Sequence, residues 1–154
     1  RAEFVKIVNT AFGFKETAEI SFIDVKKEHW YYEEIQKSYK EGDIIGVSET
    51  EFAPDNYITR EQAAIIVSRL LDLEGNVSGA DGFYDSSQIS GWALGYVGAV
   101  AEGNLIKGYE DNTFRPQNNI KRSEAVVLLD RVLNGIWWYT ISYKYYPISG
   151  GYPN

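Results

Sequence analysis

The stretch Ile58-Thr59-Arg60-Glu61-Gln62, followed by the apolar run Ala63-Ala64-Ile65-Ile66-Val67-Ser68-Arg69-Leu70-Leu71, decides how this chain is read. It returns as Ile120-Lys121-Arg122-Ser123-Glu124 ahead of Ala125-Val126-Val127-Leu128-Leu129-Asp130-Arg131-Val132-Leu133. The chain opens on a third copy, Arg1-Ala2-Glu3 and then Phe4-Val5-Lys6-Ile7-Val8. Each copy sets an arginine in the first turn of an expected helix. Thr59 is a favoured N-cap, and Gln62 three residues on completes a capping box. Ala63, Ala64, Val67, Leu70 and Leu71 then share one apolar face. Ala125, Leu128, Leu129 and Val132 do the same in the later copy, whose helix is expected to end near Asn134-Gly135. Its cap is weaker, because Lys121 stands where Thr59 does; Asn118 or Asn119 is the substitute.

Outward from these helices a long period emerges. Phe22-x-Asp24 is answered by Phe83-x-Asp85, Trp30 by Trp92, Gly42 by Gly103, Phe52-x-Pro54 by Phe114-x-Pro116 and Arg69 by Arg131, all at offsets of 61 or 62. A period of that length marks tandem supersecondary units. The expected division is the second half of a first repeat at 1–21, full repeats at 22–75 and 83–135, and an aromatic tail at 136–154. Each full repeat reads helix, loop, helix. The first helix starts near Trp30 or Trp92, with Tyr31, Ile35 and Tyr39, or Tyr96, Val97 and Val100, on its apolar face. Gly42 and Gly103 suit left-handed C-caps. Asp24 and Asp85 are expected to cap the helices after them. The loops Asp43–Ile58 and Asn104–Ile120 carry short strand-like pieces, Ile44-Ile45-Gly46 and Leu105-Ile106-Lys107-Gly108. Glu74–Gly82 reads as a polar linker. In the tail, the alternation Tyr139-x-Ile141-x-Tyr143-x-Tyr145 suggests an extended strand, packed over exposed helix faces or serving as a stacking platform for sugars. The fold class is all-α, as tandem helix-loop-helix repeats.

Composition narrows the function classes. The 154 residues are 44% hydrophobic, enough for a packed core. There is no cysteine and a single histidine, His29, which rules out thiolate chemistry and leaves little scope for a histidine metal site. No cofactor is expected. The net charge of -7 argues against a general nucleic-acid binder. No signal-peptide pattern or membrane-spanning run occurs in these residues. The chain starts inside a repeat, so more sequence upstream is expected. Phosphate loops, nucleophile elbows and metal motifs are absent. Carboxylates are plentiful enough for a glycosidase pair, yet they recur with the repeat on polar faces and turns. Glu110 and Asp111 read as a turn, without an EF-hand ligand series.

Taken in order, Phe-x-Asp, His-Trp or Gly-Trp-Ala, Gly-x-Ile/Leu-Ile and Gly108-Tyr109-Glu110-Asp111-Asn112-Thr113-Phe114-Arg115-Pro116, then the arginine motif, resemble the S-layer homology repeat. The resemblance covers residues 1 to about 133. It implies a pseudo-threefold helical bundle of three repeats. It implies non-covalent anchoring of a surface protein to the cell wall of mainly Gram-positive bacteria, outside the cell, and no enzymatic activity. The implied partner is a secondary wall polysaccharide bearing pyruvylated N-acetylmannosamine. The family's binding arginine, in its Thr-Arg-Ala-Glu motif, falls on Arg1, Arg60 and Arg122. The chain departs from the pattern in its first repeat, which lacks the Phe-x-Asp, the tryptophan helix and the loop. Self-association through that incomplete repeat is the alternative, a structural module for lattice contacts without sugar. The middle loop lacks the Asp-Asn turn, so its groove is the one expected to have drifted.

The chemistry of the residues points the same way. A helix N-terminus offers unpaired N–H groups and a partial positive charge to an anion. Guanidinium pairs bidentately with a carboxylate, such as that of a ketal-linked pyruvate. Trp30, Trp92 and Tyr109 are candidates to stack on the sugar, although tryptophans at matched helix positions read first as core. Glu61 and Glu124 would orient the arginines or close capping boxes, and Thr59 would cap its helix and donate a hydrogen bond. Arg60 and Arg122 could instead simply bridge to acidic neighbours.

Overall fold

The computed structural model describes the backbone of residues 1–145 and the side chains of residues 1–135. Within them the protein is helical: α1 (Ala2–Phe12), α2 (Tyr32–Glu41), α3 (Arg60–Leu70), α4 (Leu94–Glu102) and α5 (Arg122–Tyr145), with 3-10 turns at Val77–Ala80 and Ser86–Gln88. The strand-like loop pieces do not form strands. Among the described residues the sole β contact is an isolated antiparallel bridge between Thr59 and Asn119.

The local signals hold where they depend on neighbours in sequence. Thr59 accepts from the Gln62 N–H and the Gln62 side chain reaches back to the Thr59 N–H, so the capping box on α3 is complete. Ala63, Ala64 and Val67 are wholly buried, and Ala125, Leu128, Leu129 and Val132 nearly so. Gly42 ends α2 in the left-handed region at φ 77°. Gly103 does not; it sits at φ -71°, and Asn104 takes the left-handed position instead at φ 54°. Asparagine tolerates that region better than most residues, so the turn survives the shift by one position. The polar linker is also packed. Its 3-10 turn lies so close to α4 that a Cβ on Gly98 would meet the Asn76 carbonyl at 1.7 Å. α5 runs through Asn134-Gly135 to Tyr145, so the strand expected over 139–145 is helix; the rest of the tail lies outside the described residues.

Asp24 and Asp85 do not cap the helices that follow. The Asp24 carboxylate accepts from the Phe52 and Ala53 N–H groups, at 3.0 and 2.7 Å. The Asp85 carboxylate accepts from the Phe114 and Arg115 N–H groups, both at 2.7 Å. Ala53 and Arg115 have φ of 54° and 55°, an unfavourable region for residues with a Cβ. Each stands between a phenylalanine and a proline. The carboxylate holds this strained turn with two charge-assisted hydrogen bonds. The Phe of each Phe-x-Asp packs over a loop glycine: a Cβ on Gly46 would meet the Phe22 ring at 2.7 Å, and one on Gly108 the Phe83 ring at 2.6 Å. That is why Phe-x-Asp, the loop glycine and Phe-x-Pro recur together.

α1 and α2 are joined by a buried polar chain. Ser38 Oγ donates to Asn9 Oδ1 at 2.9 Å and lies 3.3 Å from Asp43 Oδ2, while Asn9 Nδ2 donates to Glu34. Asp43 is 1% exposed and its Oδ1 has no hydrogen-bond partner. Burial pushes its carboxyl up to about 6, against a hydrogen bond from Ser38 that pulls the other way. The folded value lies above the ordinary 3.8. The folded protein therefore holds a proton that the unfolded chain releases between about pH 4 and 6, and stability falls as pH rises through that window. At neutral pH the cost is about 3 kcal/mol for a shift of this size. Asp43→Asn should raise the melting temperature at pH 7.5 and change it little at pH 4. Equal effects at both pH values would contradict a raised Asp43 carboxyl in the fold.

Candidate functional site

The arginines that open α1 and α3 grip the loop of the unit that follows. Arg60 is 4% exposed. Its Nε donates to the Phe114 carbonyl at 2.7 Å, its Nη2 to the Lys107 carbonyl at 2.9 Å and its Nη1 to Glu124 at 3.2 Å. Arg1 repeats the pattern: Nε donates to the Phe52 carbonyl at 2.9 Å and Nη2 to the Ile45 carbonyl at 3.1 Å. Both guanidinium groups lie over a phenylalanine ring, Phe114 at 5.0 Å and Phe52 at 4.8 Å. The helix N-termini grip the same loops. The Glu61 N–H donates to the Pro116 carbonyl, and the Ala2 N–H to the Pro54 carbonyl. The Arg60 N–H donates to the Asn118 carbonyl. These donors were candidates for an anion; the fold spends them on carbonyls, because burying them unpaired would be costly.

Three cavities line up with these arginines. One, of about 290 Å³, is bounded by Arg60, the loop around Lys107-Gly108-Tyr109, and Ser123, Glu124, Val127 and Arg131 of α5. Its repeat counterpart, of about 250 Å³, is bounded by Arg1, the loop Ile45-Gly46-Val47, and Gln62, Ile65 and Ile66 of α3. Trp92 closes that second cavity. The third and largest, about 780 Å³, lies between Glu3, Phe4 and Ile7 of α1, Trp30 and Arg122.

Both tryptophans are exposed, Trp30 by 56% and Trp92 by 61%. The core reading fails for a local reason: α2 and α4 start at Tyr32 and Leu94, so each tryptophan sits in the turn ahead of its helix. Tyr31 and Ala93, one residue on, are buried instead.

The carboxylates separate by role. Glu124 Oε2 accepts from Arg60 and from the Lys121 N–H, and its Oε1 accepts from the Tyr109 hydroxyl at 2.8 Å. Burial opposes its ionisation, but the hydrogen bonds from Tyr109 and the Lys121 N–H, with the Arg60 charge beside it, hold the carboxyl below its ordinary value. Burial pushes the Tyr109 hydroxyl up, and the bond to Glu124 adds to that. The Tyr109 ring packs against the guanidinium groups of Arg60 at 4.6 Å and Arg115 at 4.0 Å. Glu61 lies elsewhere. It is 2% exposed and accepts from the Ser90 N–H and hydroxyl and from Gln117, tying α3 to the segment ahead of α4. Thr59 is spent on its cap. Asp111 closes its own turn, held down to about 2 by hydrogen bonds from Thr113 and Arg115. In the middle loop, Ser48 accepts from the Thr50 and Glu51 N–H groups, so that turn closes without an aspartate.

Arg122 differs from its two counterparts. Its side chain is 83% exposed, and among the described residues its one ion pair is to Glu3 at 2.7 Å. An exposed pair of this kind contributes little. Arg60, Tyr109 and Glu124 thus meet in one cavity, Arg1 and Trp92 in another, Arg122 and Trp30 in the third. Gly46, Gln62, Lys107, Ser123 and Arg131 were not among the candidates. Gly46 and Gly108 recur 62 residues apart, so the repeat itself carried a signal for that wall.

Known proteins resemble this chain over most of its length. The chain is 33% identical over 139 residues to the surface-layer 125 kDa protein of Lysinibacillus sphaericus, covering 88% of this chain and 12% of that protein. It is 36% identical over 116 residues to the cellulosome-anchoring protein of Acetivibrio thermocellus, 74% of this chain and 26% of that protein. It is 34% identical over 135 residues to an amylopullulanase of Thermoanaerobacterium thermosulfurigenes, 84% of this chain and 7% of that protein. The chain therefore spans about a quarter or less of the length of these relatives. The sequence profile of the S-layer homology domain matches residues 21–64 and 82–126, more than half of the chain. With its arginine-clasped loops following the same period as that match, the chain belongs to the S-layer homology domain family.

Proposed function

We propose that the chain anchors a surface protein by binding an acidic, pyruvylated wall polysaccharide in the cavities between its units. Anchoring at the bacterial cell surface is the role of the family. Among the described residues no helix is long and apolar enough to cross a membrane. The observation that carries the sugar reading is the cavity where Trp92, 61% exposed, stands beside Arg1. An exposed indole and a guanidinium at one cavity match the apolar face and the carboxylate of a pyruvylated sugar. Arg60 lines the counterpart cavity and keeps one hydrogen on each Nη after its bonds to Glu124 and Lys107. The relatives that are enzymes share with this chain only a small part of their length.

Trp92→Ala tests this directly, because so exposed a side chain can be removed without unfolding the protein. Binding to wall fragments carrying the polymer should fall roughly tenfold, in keeping with the loss of one stacking contact. Unchanged binding would remove the Trp92 cavity as a site. A purely structural role without sugar would rest on the exposed Val126 and Val127 of α5.

A further inference from the structure

The Arg1–Trp92 cavity has an ionisable group in its wall that its counterpart lacks. Asp43 borders it, together with Arg1, Gln62 and Trp92. This aspartate is 1% exposed, and its Oδ1 has no hydrogen-bond partner among the described residues. Little around it offsets a charge. α2 brings the Ser38 hydroxyl and, at its end, the Glu41 carboxylate, which adds to the effect of burial in holding the Asp43 carboxyl up. α1 brings Asn9, which is bonded on to Glu34. α3 brings Gln62, Ile65 and Ile66 to the cavity, none of them charged. Arg1 is the one cation bordering the cavity among the described residues. Its guanidinium is held by the Phe52 and Ile45 carbonyls, and the carboxylate acting on it is Asp24. No ion pair joins any cation to Asp43 among the described residues.

The second repeat folds without this group. Ser38 gives way to Ala99 and Asp43 to Asn104, each 61 residues on. Asn9 gives way to Ser68, whose buried Oγ has no partner. Asn104 is exposed and does not border the Arg60 cavity. The buried carboxyl is therefore not required by the architecture, and it alters the charge of one cavity and not of the other.

We propose that the charge state of Asp43 decides how well the Arg1–Trp92 cavity accepts an acidic sugar. Neutral, it leaves Arg1 as the only charge bordering the cavity; ionised, it repels the ligand's carboxylate. The inference rests on the sugar-binding reading. A cavity of about 250 Å³ is roughly 8 Å across, and like charges at that separation, partly screened by salt, repel enough to change affinity roughly fivefold. The acidic ligand binds the protonated form better, so binding takes up a proton. Affinity in this cavity rises as pH falls through about 6. The Arg60 cavity is bordered by Lys107, Arg131 and a Glu124 carboxyl held below its ordinary value, so it should respond little over the same range.

The test is calorimetric titration with purified wall polymer, its ketals intact, at pH 5 and pH 7.5. The original chain, Asp43→Asn and Trp92→Ala are compared, with melting temperatures recorded at both pH values to confirm that each is folded. The original chain should bind roughly fivefold more tightly at pH 5. Asparagine copies the neutral carboxyl at both pH values, so Asp43→Asn should bind at pH 7.5 about as the original chain does at pH 5. Its pH response should be gone. Trp92→Ala should also lose the response, but with weaker binding at both pH values. The polymer's own carboxylates titrate alike against all three chains and cancel in the comparison. Binding by the original chain at neither pH would overturn the sugar reading and this inference with it. Binding that ignores pH, or that responds equally in Asp43→Asn or in Trp92→Ala, would overturn the inference alone.

Discussion

Arg60→Ala should cost about 3–5 kcal/mol of unfolding free energy, the range for removing one partner from a buried ion pair. Arg122→Ala should change it by less than about 0.5 kcal/mol. The two residues occupy the same motif position, so sequence alone predicts like effects that leave the fold intact. The structure separates them. Removing the Arg60 side chain takes the guanidinium donor from the Phe114 and Lys107 carbonyls, one of three donors from Glu124, and a cation from between Tyr109 and Phe114. Among the described residues Arg122 has only an exposed contact with Glu3 to lose. Arg60→Lys should recover little, because an ammonium group cannot reach two carbonyls seven residues apart in the planar fork that guanidinium provides. Urea unfolding of the three variants checks this. Equal stability of Arg60→Ala and the original chain would show that the clasp does not hold the units together. One consequence concerns binding assays: a loss of affinity in Arg60→Ala carries meaning only alongside a measurement of folding.

Asp85→Ala is the second large effect, with an expected loss of about 3 kcal/mol. Its carboxylate is 7% exposed and takes two N–H groups at 2.7 Å, and hydrogen bonds to a charged group contribute about 1.5–3 kcal/mol each. Removing it also frees Arg115 to leave its left-handed conformation, which unseats the Phe114 carbonyl that Arg60 holds. Asp85→Asn should lose less than Asp85→Ala, because one acceptor oxygen remains. Since both bonds converge on one turn, Asp85→Ala and Arg60→Ala should be non-additive, the double variant losing less than the sum. Strict additivity would mean that the carboxylate and the guanidinium act on independent structures.

What the sequence made legible was local or periodic. The capping box needs only Thr59 and Gln62, and the apolar faces of α3 and α5 need only positions a helical turn apart. The repeat made the all-α, tandem character plain, because it paired Trp30 with Trp92 and Arg60 with Arg122 before any contact was known. What escaped depended on residues far along the chain. Asp24 and Asp85 look like helix caps until the N–H groups they hold turn out to lie 28 to 30 residues away. Arg60 looks like an anion site until its acceptors appear 47 and 54 residues on. Trp30 and Trp92 looked like core because a start two residues later for each helix turns a buried position into an exposed one. The run of Tyr139, Ile141, Tyr143 and Tyr145 alternates like a strand, yet α5 extends its own hydrogen bonding through it. Propensity there yields to continuation of a helix already nucleated.

The claim that these cavities hold an acidic sugar is tested most directly by calorimetric titration of the chain with purified wall polymer, before and after mild acid removal of its pyruvate ketals. The account predicts saturable binding to the intact polymer, weakened at least tenfold once the ketals are gone, and weakened again by Trp92→Ala on the intact polymer. Equal affinity for the two polymers would contradict it. The carboxylate would then have no part in recognition, and the arginines would be clasps and nothing more.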